Sequence, residues 1–179
     1  MALGLESYSF LLIPSDAHFT IEDDVIDYDG GKKIPFSLVI ETMLSLKHVR
    51  TYIPSDLTAS KSIECYYIYN DNNILVELEV NAGKIEEEGV EEISVRFAVT
   101  STEETSKQAI FICRLLTEQL FMKVIDMRLK KEIDLNNDLE IKKVIERLSL
   151  KKKNSTSFTP YPLIVLLLLC IVVNHFLMN

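Results

Sequence analysis

Asp27 and Asp29, followed by Gly30-Gly31, have the spacing of positions three and five of a calcium-binding loop ahead of its sixth-position glycine. That register makes Val25 the first residue and Phe36 the twelfth, where a bidentate Glu is required, so two ligands are missing. The stretch from Glu22-Asp23-Asp24 to Gly31 is therefore expected to be a solvated acidic loop. His18, His48 and His175 have no partner at metal-ligand spacing, and neither HExxH, GxSxG nor a phosphate-cradling glycine loop occurs. Five glycines in 179 residues leave little material for a nucleotide-binding loop. Cys65, Cys113 and Cys170 form no CxxC and fall on an expected strand, an expected helix and an apolar tail. Buried thiols in a reducing compartment fit that pattern better than a disulfide framework, structural zinc or a Cys–His nucleophile pair. Tyr66, Tyr67 and Tyr69 crowd one strand, as strand propensity allows, and Tyr66 is placed to face outward as a binding handle. No catalytic, cofactor-binding or metal-ligating residue is assigned, and the chain is expected not to be an enzyme.

Charge and hydropathy say more. All 27 acidic residues and 16 of the 19 basic ones precede residue 151, so residues 1–150 carry a net charge of −11. Nucleic-acid binding needs Lys and Arg to replace counterions on phosphates, which excludes nucleic acid as the expected partner. A cationic protein partner suits such a domain through complementary steering. Lys151, Lys152 and Lys153 follow, then a Ser/Thr/Pro spacer, then Leu163, Ile164, Val165, Leu166, Leu167, Leu168, Leu169, Cys170, Ile171, Val172 and Val173 without interruption. A helix over Tyr161–Met178 would be about 27 Å long, enough to span a thin bilayer. The basic residues Lys142, Lys143, Arg147 and Lys151–Lys153 all lie on its N-terminal side, so the positive-inside rule keeps the domain cytoplasmic and sends the C-terminus across. The first fourteen residues lack the basic region and long apolar run of a signal peptide, which makes a tail anchor the expectation. A lipid-attachment signal around Asn154-Ser155-Thr156 would need such a leader, and the sequon there is expected to stay unused.

The elements that position these residues follow from periodicity. Residues 7–13 read as a buried strand, and Phe36, Val39, Ile40, Met43, Leu44 and Leu46 recur at helical spacing after Pro35. Strands are expected at 63–69, 74–80 and 93–99. In the last two, Ile74, Val76, Leu78, Val80 and Ile93, Val95, Phe97, Val99 alternate with Glu77, Glu79 and Ser94, Arg96 on a wet face. Ser101 with Glu104 fits a capping box for a long helix reaching about Arg128, and Leu139, Ile141, Val144, Ile145 and Leu148 mark a shorter one over 139–150.

The order β-α-β-β-β-α-α implies a two-layer α+β domain, an antiparallel sheet of about four strands covered by helices on one face, plus one C-terminal transmembrane helix. Residues 1–131 form the acidic cytosolic domain, 132–150 an accessory helix, 151–162 a basic and polar juxtamembrane linker, and 163–178 the anchor. The function expected is a non-catalytic binding module held at a membrane, immunity-like, receptor or adaptor. The expected partners are the lipid bilayer and a protein, a cationic one suiting the charge, and oligomerisation through the anchor is open to it. Two alternatives stand beside it. One is a membrane-perturbing effector, suggested by the short span and by Asn174-His175 near its far end. The other is an anchored enzyme whose polar residues converge only in three dimensions.

Overall fold

The computed structural model describes residues 7–22, 25–85 and 89–155. The apolar anchor at 163–178 lies outside the described residues. The elements run β1 (Ser7–Pro14), β2 (His18–Glu22), β3 (Val25–Asp29), α1 (Phe36–Ser45), β4 (Val49–Thr51), β5 (Tyr66–Asp71), β6 (Ile74–Val80), β7 (Ile93–Ala98), α2 (Glu103–Leu120), β8 (Met122–Asp126), β9 (Lys131–Ile133) and α3 (Asp138–Ser155). Seven strands form one antiparallel sheet in the order β4-β5-β6-β7-β1-β8-β9, and β2 pairs with β3 in a separate hairpin. The α+β class holds, with seven strands where about four were expected.

One face of the sheet is a conventional core. Phe10, Leu12, Leu78, Val95, Phe97 and Val124 alternate inward along their strands, and α2 covers them with Ala109, Ile112, Cys113, Leu116 and Leu120. Each large side chain fully buried there stabilises the fold by about 1.5–3 kcal/mol, so α2 is the main cover. Packing of α1 and α3 against α2 completes the helical layer.

The long helix expected to reach Arg128 is two elements. Thr102, rather than Ser101, caps α2, its hydroxyl accepting from the Thr105 amide at 3.3 Å. The helix stops at Leu120 because Phe121 turns left-handed, with φ 53°. Residues 122–126 then run extended beside β1, Val124 entering the helical core and Ile125 the opposite face. The acidic loop is likewise structured: His18–Glu22 and Val25–Asp29 pair as a hairpin. Its half-buried Phe19, Ile26 and Tyr28 pack on Leu11, Ile13 and Ile125, so part of the second sheet face is covered too. Gly31, at φ 88°, lies where a Cβ would come within 2.9 Å of the Ala17 Cβ, so the hairpin can return only on a glycine.

α3 continues to Ser155, so the backbone of Lys151–Lys153 is helical. Among the described residues, no helix is long and apolar enough to cross a membrane.

Candidate functional site

Alternation along β6 sends Val76, Leu78 and Val80 into the helical core, so Glu77 and Glu79 emerge on the second face. That face was expected to be wet. Instead Glu77 and Glu79 are only 7% and 8% exposed. The reason is the connection from β4 to β5, which folds back over the sheet. Its ends are held by two backbone hydrogen bonds, Tyr52 N to Tyr66 O (3.2 Å) and Ser62 N to Gly83 O (2.8 Å). Under it lies an open cleft of about 170 Å³, lined by Tyr52, Asp56, Lys61, Tyr66, Glu77, Glu79 and Arg96 among others.

The turn after β6 shapes the cleft wall. Asn81, Ala82 and Gly83 all have positive φ (46°, 50° and 88°). The Asn81 side chain donates to the Gly89 carbonyl at 3.0 Å and accepts from the Glu91 amide at 2.9 Å, tying the turn to the far end of the acidic connection. A Cβ on Gly83 would stand 2.1 Å from the Tyr66 hydroxyl, so glycine is what lets that phenol lie against the backbone.

Within the cleft the charges are unevenly matched. Glu79 binds two cations: Arg96 Nη2 at 2.8 Å from one oxygen and Lys61 Nζ at 3.4 Å from the other. Lys61 also hydrogen-bonds the Tyr66 phenol, and this bond is the largest cause holding its ammonium pKa above the ordinary value. Arg96 stands directly across the strand pair from Glu77, yet its guanidinium reaches diagonally to Glu79. Glu77 therefore has no hydrogen bond or ion pair among the described residues. Burial raises its carboxyl pKa, and the nearby Arg96 charge only partly opposes that. Burial, reinforced by Glu77, pushes the Tyr52 phenol up to about 12. The Arg96 Nε is itself buried without a hydrogen-bond partner. The Glu77 oxygens are not among the fully buried polar atoms without a partner, so the open cleft reaches them although the residue as a whole is buried.

A second buried carboxylate shows the ordinary solution. Asp126, fully buried at the end of β8, accepts from the Tyr8 hydroxyl and from the backbone amides of Arg128 and Leu129, both at 2.9 Å. The Arg128 guanidinium lies over the Tyr8 ring at 5.3 Å. The Asp126 carboxylate is thus satisfied by groups of the fold itself.

The residues examined for chemistry in the sequence are mostly dispersed. Asp27 and Asp29 lie on β3, opposite Thr20 and His18, exposed on an extended strand that cannot wrap an ion. His48 sits 3.9 Å from Asp71 and edge-on to Tyr69. Among the described residues, no three His, Cys, Asp or Glu side chains converge as a metal site. Cys65 and Cys113 are buried, and burial pushes both thiols up, that of Cys65 to about 11. At neutral pH both are thiols rather than nucleophilic thiolates. Tyr66 does project from the face opposite Tyr67 and Tyr69, but it is buried in the cleft rather than free in solvent. Leu163–Val173 lie outside the described residues, and Lys151–Lys153 are placed only as helical backbone.

The cleft was missed because its parts come from four distant segments. The available signal was a Glu-x-Glu strand face opposite an Arg on the next strand, beside a Pro-Ser-Asp loop. No protein-family model, curated protein or solved structure matches the chain.

Proposed function

We propose that this chain is a single-pass membrane protein whose acidic α+β domain faces the cytosol and acts as a non-catalytic binding module for a cationic protein. The carrying observation is the separation of charge and hydropathy along the chain. A domain of net charge −11 is followed by Lys151–Lys153 and then by eleven uninterrupted apolar residues. Anionic lipid repels the domain and attracts the lysines, which holds the domain off the surface while the apolar segment inserts. Confinement to a surface raises the effective concentration of such a module for a partner working there, as an immunity protein, receptor or adaptor requires.

Alkaline carbonate extraction of membranes from cells expressing the full chain tests the anchor. The protein stays in the pellet, and replacing both Leu167 and Leu168 by lysine releases it. Protease added to intact cells leaves the domain untouched, and digestion from outside would overturn the orientation. The competing reading, a bilayer-disrupting effector, requires dye release from vesicles that Asn174→Leu with His175→Leu abolishes. The binding-module reading requires no release.

A further inference from the structure

We propose that the cleft beneath the β4–β5 connection is a receptor for one cationic side-chain head, a guanidinium or ammonium group, with Glu77 as its anchoring carboxylate. The inference rests on the binding-module reading and names the chemistry by which that module recognises its partner.

Three observations lead to it. Glu77 is more than nine-tenths buried, lines the cleft and has no hydrogen bond or ion pair among the described residues. An unpaired carboxylate in such surroundings is unfavourable alone and gains most from an arriving positive charge. The two cations that line the cleft, Arg96 and Lys61, both close on Glu79. With Asp56 also at the cleft, its acidic side chains outnumber its basic ones by three to two. Among the described lining residues the excess is therefore one negative charge, which a single cation would balance.

Size restricts the guest. A cavity near 150 Å³ admits benzene, whereas sites for drug-sized ligands and cofactors run from about 300 to 1,000 Å³. At about 170 Å³ the cleft holds one side-chain head and excludes a nucleotide. Tyr52 and Tyr66, edge to face with centroids 6.1 Å apart, add aromatic walls of the kind that attract a cation. Two other cavities among the described residues lack this combination. A groove of about 430 Å³ beside Leu38 and Phe121 is bordered by apolar side chains and surface lysines, and none of the buried charged groups lines it.

The test is an NMR titration of the full-length chain in a neutral maltoside micelle, read at the Arg96 Nε–H and at backbone amides of β6. The probes are Nα-acetyl-arginine amide and Nα-acetyl-lysine amide, with Nα-acetyl-citrulline amide as the neutral isostere. At least one cationic probe shifts these resonances with a dissociation constant of about 1 mM, while citrulline does not. Glu77→Gln weakens that probe by at least about thirtyfold. Tyr52→Leu, at the half-buried rim, weakens it severalfold and serves if Glu77→Gln does not fold. Equal binding of citrulline, undiminished binding to Glu77→Gln, or no saturable shift with either cation would overturn the proposal. Guanidinium chloride at matched concentration separates sources, and binding as tight as that of the arginine probe would overturn a side-chain guest. The titration needs no bilayer, so its failure leaves the anchoring reading standing, and release from carbonate-washed membranes leaves the titration decisive.

Discussion

Asp126 and Glu77 are both buried carboxylates on the same sheet, and they are built in opposite ways. Asp126 accepts three hydrogen bonds from groups fixed by the fold, one from Tyr8 and two from the backbone of the following turn. Glu77 accepts none from the described residues, although its cross-strand neighbour is an arginine. The first arrangement makes a carboxylate part of the scaffold, because every donor around it would be stranded by its loss. The second leaves a carboxylate that no described residue pairs, at the floor of an open cleft. Buried charge without a partner destabilises, and sites where that is tolerated are candidates for function.

Substitutions can break this comparison, and the largest effect falls on the closed cluster. Asp126→Ala strands the Tyr8 hydroxyl and two backbone amides and should lower the unfolding free energy by about 3 kcal/mol, measured by urea denaturation. Gly83→Ala should cost about 2 kcal/mol, because its Cβ meets the Tyr66 phenol in a left-handed backbone. It should also disturb the cleft resonances while leaving those around Asp126 in place. Glu79→Gln removes the anion shared by Arg96 and Lys61, and these cations are about one-third exposed, so the loss should be nearer 1.5 kcal/mol. Asp126→Ala costing less than Glu79→Gln would contradict the distinction. Ala82→Gly, which relieves an exposed left-handed alanine beside the cleft, should stabilise by only about 0.5 kcal/mol.

Acidity sharpens the contrast. Among the described residues Glu77 faces Arg96 from β7, Glu79 on its own strand, and Tyr52 and Asp56 from the covering loop. Its folded pKa is raised above the ordinary 4.5, so it binds its proton more tightly in the folded state than in the unfolded one. The stability it contributes is present below pH 4.5 and is lost as pH rises through the folded value. Wild type and Glu77→Gln should therefore unfold alike in acid and diverge toward neutrality, the variant becoming the more stable. Thermal melts at several pH values check this.

How much of this was legible in the sequence depended on whether the deciding contacts were local. β6 occupies 74–80 as its period-two pattern predicts, because the alternation of Val76, Leu78 and Val80 with Glu77 and Glu79 is local. Which of the two faces meets water is not local. It depends on where the chain between Thr51 and Tyr66 folds back, and no periodicity records that. The end of α2 was hidden for a different reason. Apolar residues continue from Leu116 through Ile125, and the break falls on Phe121, a bulky residue in a conformation that usually marks glycine or asparagine. The hairpin was closer to hand: Phe19 and Ile21, then Ile26 and Tyr28, alternate with polar residues, but the acidic run between and after them reads as a loop. Of the candidate cleft only the Glu-x-Glu strand face and the Arg of a later strand were legible, since Tyr52, Lys61, Glu77 and Arg96 meet only in the fold.

The central claim is that Glu77 is held against the interest of the fold. Differential scanning of the full-length chain and of Glu77→Gln at pH 7, without ligand, tests it most directly. Relief of the unpaired charge should raise the melting temperature by about 3 °C, the shift expected for about 1 kcal/mol in a domain of this size. A lower melting temperature for Glu77→Gln would mean that the carboxylate already has its partner within the protein, and the cleft would be scaffold like Asp126.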